Sequence, residues 1–197
     1  MVAFWACAVL DWIAVARQWK PLEYFAKPAT LLALLGWAAF SSTASPWLLA
    51  ALFFSLLGDI FLMLPIDAFI AGLGAFLIGH LAYLGAFGAP WLVRGAWLIG
   101  LLVLLRPVAR RLLGAIPEPP LKAAVGIYIL AISMMVASAF AGGQPLAIGG
   151  ALLFMASDLM IGWRRFVRPW SWAQVAIIVT YHVGQWALAT ALLTSAA

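Results

Sequence analysis

Charge is scarce in this sequence, and so are cysteine and histidine. Only 9% of its 197 residues are charged and 67% are hydrophobic, whereas an ordinary soluble domain is about 25% charged. A water-soluble domain is therefore excluded. Cys7 is the single cysteine, which rules out disulfides within the chain and thiolate metal clusters. The only histidines are His80 and His182, and no HExxH or similar spacing is present. A catalytic zinc usually takes three protein ligands, so neither a metal nor another cofactor is expected. The N-terminus has no basic stretch ahead of its apolar run, and Asp11 interrupts that run. It reads as a retained first helix rather than a secretory signal.

What the chain has in abundance is apolar runs of membrane-crossing length. Lipid offers the backbone no hydrogen bonds, so such runs must be helices. Breaks at polar residues, proline and glycine divide them into eight spans, roughly 2–16, 28–42, 46–64, 67–88, 90–106, 121–141, 145–162 and 171–194. The first is short, and its continuation to Trp19 would set Trp5, Trp12 and Trp19 along one face. The expected fold is all-α: a single transmembrane domain over 1–197, an eight-helix bundle.

The formal charge of +5 and a pI near 9.9 invite a nucleic-acid reading, but the placement of the basic residues argues against it. Arg17, Lys20 and Lys27 follow the first span. Arg106, Arg110, Arg111 and Lys122 follow the fifth, and Arg164, Arg165 and Arg168 the seventh. Every basic residue except Arg94 then falls on one side, which the positive-inside rule makes cytoplasmic, with both termini opposite. No nucleic-acid partner is expected. The chain reads as a multi-pass protein of the cell membrane.

Two acids interrupt apolar runs: Asp59 in "FSLLGDIFLML" and Asp158 in "LLFMASDLMIG". Each costs roughly 2.5–3.5 kcal/mol at a helix centre, so intramembrane acids are functional candidates by default. His80 follows Asp59 by 21 residues and His182 follows Asp158 by 24, and a parallel 4+4 repeat would account for the two pairs. Ser55 is one turn before Asp59, within reach of its carboxylate. Tyr181, His182 and Gln185 share one broad face of the last span. The blander reading gives these groups only interhelical hydrogen bonds. Asp11 reads as a structural partner of Arg17 or Lys27. "AKP" places Lys27 at the mouth of the second span with Pro28 in its first turn. There Lys27, like Arg164 and Arg165, could bind a lipid phosphate.

"KP", "FSLLGDIFLML", "GLGAFLIGHLAY", "GALLFMASDLMI" and "TYHVGQ" occur in the order and spacing of the YhhN-like membrane proteins, and from Lys27 to Gln185 the chain resembles that family. The family includes the lysoplasmalogenases, also called alkenylglycerophosphocholine or alkenylglycerophosphoethanolamine hydrolases. The resemblance implies an eight-helix fold, a lysoplasmalogen and water as partners within membrane lipid, and cleavage of the vinyl ether to a fatty aldehyde. It makes Asp59 and Asp158 the catalytic acids and Lys27, His80, Tyr83, Ser157, Tyr181 and Gln185 supporting residues. At His182 it implies a less polar or aromatic residue.

The chemistry fits two acids. A vinyl ether is cleaved by protonating its β-carbon, which leaves an oxocarbenium ion for water to capture. Low dielectric and a neighbouring carboxylate both help a carboxyl group keep its proton. Glycosidases meet a related cation with two carboxylates. The sequence leaves open which acid donates. The expected site opens to the cytoplasmic leaflet, where a lysolipid phosphate would lie near Lys27. Rival readings are a proton-coupled transporter using the Asp/His pairs, a non-catalytic scaffold, and a hydrolase of another ether or amide lipid.

Overall fold

Proline and glycine punctuate the chain where its helices begin and end. In the computed structural model, which describes residues 1–194, there are eight helices: α1 (Val2–Ala16), α2 (Lys20–Ala39), α3 (Pro46–Met63), α4 (Phe69–Phe87), α5 (Trp91–Gly114), α6 (Pro119–Gly142), α7 (Pro145–Phe166) and α8 (Ala173–Thr194). Helices α2, α3, α6 and α7 carry proline in their first two positions, where the missing N–H is not needed. Ser45 caps α3 by accepting from the Leu48 amide at 3.1 Å. Gly88 and Gly143 close α4 and α6 with left-handed φ of 58° and 72°.

Six helices, α3 to α8, are long and apolar enough to cross a membrane. Helix α1 has only 15 residues, and α2 carries Lys20, Glu23 and Lys27 in its first turns.

Two expectations fail at the α1–α2 junction. Helix α1 ends at Ala16, and Gln18 takes a positive φ of 54° that turns the chain. Trp19 therefore leaves the α1 face, stands at the N-cap of α2 and is 56% exposed. Trp5 and Trp12 do pack together on α1, with ring centroids 6.4 Å apart. Helix α2 begins at Lys20 instead of 28, so Pro28 lies inside it and Pro21 takes the early position. The polar residues that looked like a loop instead form one face of a helix. Likewise α5 and α7 run on past the expected 106 and 162, so that Arg106, Arg110, Arg111, Arg164 and Arg165 are helical.

Neighbour relations close into a ring: α1 packs on α2, α2 on α3, α3 on α4, α4 on α6, α6 on α7, α7 on α8, and α8 back on α1. Helix α8 also touches α2 and α3 across the interior, and α5 stands outside, against α6 and, more lightly, α7. The ring closes tightly because glycines let backbones meet. A Cβ on Gly184 of α8 would lie 3.0 Å from the Gly150 carbonyl oxygen and 3.0 Å from the Phe154 amide nitrogen, both on α7. Gly184→Val is expected to destabilise the protein by about 1–3 kcal/mol through overpacking. Gly149, with nothing within 4 Å of its would-be Cβ, should tolerate valine. Thermal unfolding of both variants in detergent checks the contrast.

Candidate active site

Helix α7 carries Asp158 to the interior, and α4 and α6 bring its partners. His80 Nε2 lies 3.1 Å from Asp158 Oδ2 and 2.9 Å from the Tyr128 hydroxyl. The Tyr128 hydroxyl in turn donates to the same carboxylate oxygen at 2.5 Å. Ser157 donates to Oδ1 at 3.3 Å and to the Phe154 carbonyl at 2.8 Å. Three helices thus converge on one carboxylate. Tyr128 was missed by sequence reasoning. Its signal was a single phenol midway along an apolar span, in "GIYIL".

Asp59 on α3 forms the second cluster. Tyr181 of α8 donates to Oδ2 at 2.8 Å, and the Lys27 ammonium of α2 stands 3.5 Å from Oδ1. Lys27 is therefore paired with an acid inside the ring. The Asp59 and Asp158 clusters meet at one aromatic ring. Phe154 lies between their partners, its ring centroid 4.8 Å from that of His80 and 5.2 Å from that of Tyr181. The Tyr83 hydroxyl donates to Gln185 Oε1 at 2.5 Å, tying α4 to α8.

Ser55 does not bond Asp59 as the one-turn spacing implied. Its buried hydroxyl has no hydrogen-bond partner among the described residues and faces Gly79 of α4, where a Cβ would sit 3.3 Å away. Tyr181 and Lys27 draw the Asp59 carboxylate toward α8 and α2 instead. His182 also parts from its expected companions. Trp12 donates to His182 Nδ1 at 3.1 Å, which places the ring hydrogen on Nε2, 3.9 Å from Asp11 Oδ2. Asp11 is fully buried, among the described residues it has no hydrogen bond to either oxygen, and it pairs with neither Arg17 nor Lys27. His182 and Asp11 thus form a third polar group, between α1 and α8. Among the described residues no three His, Cys, Asp or Glu side chains gather as a metal would require.

Two cavities meet beside these groups. A vestibule of about 550 Å³ is lined by Lys20, Glu23, Tyr24 and Lys27 of α2, by Arg164 and Arg165 of α7, and by the α3–α4 connection. At its edge Arg165 donates to Asp67 at 2.8 Å and covers the Phe69 ring at 4.1 Å. That bond holds the exposed Asp67 carboxyl below its ordinary titration range. The second cavity is an apolar crevice of about 50 Å³, with Asp158 and Tyr128 on a wall otherwise formed by residues such as Phe76, Leu112 and Ile132. Leu62, Phe69 and Ile161 line both cavities. Charged chamber and apolar slot share that wall.

Comparison with known proteins points the same way. The sequence profile described as the YhhN family matches residues 22–192. "Lysoplasmalogenase TMEM86B" of Sus scrofa is 38% identical over 135 residues, covering 68% of this chain and 58% of the pig protein. The protein of the same name from Mus musculus is 35% identical over 184 residues, covering 91% of this chain and 80% of its own length. "Lysoplasmalogenase" of Mycobacterium tuberculosis is 34% identical over 153 residues, covering 68% of this chain and 59% of the bacterial protein. The chain thus spans under two thirds of the pig and mycobacterial relatives and about four fifths of the mouse one. No solved structure is a significant match.

Proposed function

The chain belongs to the YhhN family, and from that premise we propose that it hydrolyses the vinyl ether of lysoplasmalogens, releasing a fatty aldehyde and a glycerophospho-headgroup. The observation that carries this reading is the wall on which Asp158 sits: an apolar crevice that shares lining residues with a charged vestibule. A lysolipid has that same division, with its vinyl ether at the boundary. The homologues named lysoplasmalogenase support it.

Asp158 is the proton donor in this proposal because it lines the crevice, whereas Asp59 faces the Lys27 ammonium. Asp158 gives its proton to the β-carbon, and the C=C electron pair forms the new C–H bond. The positive charge moves to the α-carbon and ether oxygen, facing two carboxylates. Water adds at the α-carbon and loses a proton to Asp59, giving a hemiacetal. As the hemiacetal collapses, its hydroxyl proton goes to Asp158 and the Asp59 proton goes to the departing glyceryl oxygen. One water is consumed and both acids return to their starting states. Tyr128, His80 and Tyr181 orient the carboxylates, and Tyr83 with Gln185 braces α4 on α8.

The topology in this reading is eight-spanning, with α1 and α2 completing the six long apolar helices and both termini on the non-cytoplasmic side. Lys20, Lys27, Arg164 and Arg165 around the vestibule support a site in the cytoplasmic leaflet. A parallel repeat relating the α3–α4 hairpin to α7–α8 fits this arrangement.

Purified protein in detergent is expected to release aldehyde from a vinyl-ether lysophospholipid and none from the saturated alkyl ether of equal chain length, which has no unsaturated β-carbon to protonate. Trapping the aldehyde with a hydrazine reagent reads the result. Equal release from both lipids, or from neither, would sink the proposal.

A further inference from the structure

One face of α2 carries Lys20, Glu23, Tyr24 and Lys27, at spacings i, i+3, i+4 and i+7, and all four line the vestibule. Lys27, the deepest, is paired with Asp59. Glu23 is different. Its side chain is only 12% exposed, yet its partner at 2.7 Å is the ammonium of Lys20, whose own side chain is 55% exposed. A nearly buried carboxylate on a cavity wall is thus met by a long, flexible amine reaching in from the rim. Such a pair between exposed side chains normally contributes little to stability, and burial of one carboxylate is not needed for it.

We infer that Glu23 binds the ammonium end of the substrate headgroup, and that Lys20 stands in for that ammonium when no lipid is bound. The inference rests on the reading of the vestibule as the headgroup chamber. One helical turn, about 5.4 Å, separates Glu23 from Lys27. That spacing suits an ammonium and a phosphate joined by a two-carbon bridge, with the phosphate toward Lys27 and Arg164. Asp67, the other acid on the vestibule wall, is already bonded to Arg165. Tyr24 adds an aromatic ring, which attracts quaternary as well as primary ammonium groups. Glu23 is then the residue that distinguishes an ammonium-bearing headgroup from a bare phosphate.

The test is binding, which does not depend on hydrolysis. Full-length protein in nanodiscs is titrated with three saturated 1-alkyl lysophospholipids of equal chain length, bearing phosphoethanolamine, phosphocholine or phosphate alone. Glu23→Gln is expected to weaken the two amine lipids roughly tenfold and to leave the bare phosphate unchanged. Lys20→Ala is expected to tighten the two amine lipids severalfold, because it removes the internal competitor. The opposite signs are decisive: if the pair only braces the helix, both substitutions shift all three lipids together or not at all. Either of those patterns overturns the inference. Aldehyde release from the matching vinyl-ether lipids is read on the same wild-type preparation. Aldehyde without amine selectivity rejects the headgroup subsite alone. Amine selectivity without aldehyde rejects the hydrolase reading and keeps the subsite.

Discussion

Asp158→Asn is expected to lower aldehyde release by about 10²–10⁴-fold, the usual contribution of a positioned general acid. The substitution is close to isosteric. Its amide oxygen still accepts from the Tyr128 hydroxyl, which now bonds Asp158 Oδ2. That same oxygen still faces His80 Nε2 at 3.1 Å, and the amide nitrogen takes the place of Oδ1, where Ser157 keeps its bond to the Phe154 carbonyl. The polar cluster between α4, α6 and α7 is thus preserved while the transferable proton is lost. The melting temperature in detergent should change little, which separates lost chemistry from lost fold. Full activity in the variant would move the proton donor elsewhere.

Lys27→Met is expected to act mainly on stability. Asp59 is only 2% exposed, and Lys27 is the cation beside it. Removing one member of a buried pair leaves an uncompensated charge and typically costs about 3–5 kcal/mol. Tyr181 remains as a neutral donor at 2.8 Å, which does not replace a charge. The double variant Lys27→Met/Asp59→Asn removes both charges and should recover most of the lost stability without recovering aldehyde release. Thermal unfolding of the two single variants and the double variant, analysed as a cycle, measures the coupling. A single Lys27→Met variant as stable as wild type would show that Asp59 does not depend on this ammonium.

The sequence marked Asp59 and Asp158 because an acid in an apolar run is conspicuous. It did not mark Tyr128, because a lone tyrosine in a hydrophobic span is ordinary until its neighbours are known. Helix spacing places Ser55 under Asp59, but spacing along one helix cannot choose between neighbouring helices. Here Ser55 faces α4 while Asp59 turns to α8 and α2. The same limit explains His182, which shares a broad face with Tyr181 and Gln185 yet bonds Trp12 of α1. Helix bounds were legible for α1, α3, α4, α6 and α8 to within two residues. The start of α2 was misplaced because Lys20, Glu23 and Lys27 resemble a loop by composition. Their helical periodicity becomes meaningful only beside the cavity they line.

The shared wall of Leu62, Phe69 and Ile161 bears on the fate of the products. In the proposed reaction the bond that breaks lies at the seam between slot and chamber, so the two products separate by solvent preference as they form. The aldehyde stays with hydrocarbon, since each methylene drawn into water would cost about 0.8 kcal/mol. The glycerophospho-headgroup, freed of its chain, dissolves in the aqueous phase. The fragments are then diluted in different media, and that partition drives the hydrolysis forward without any further device in the protein.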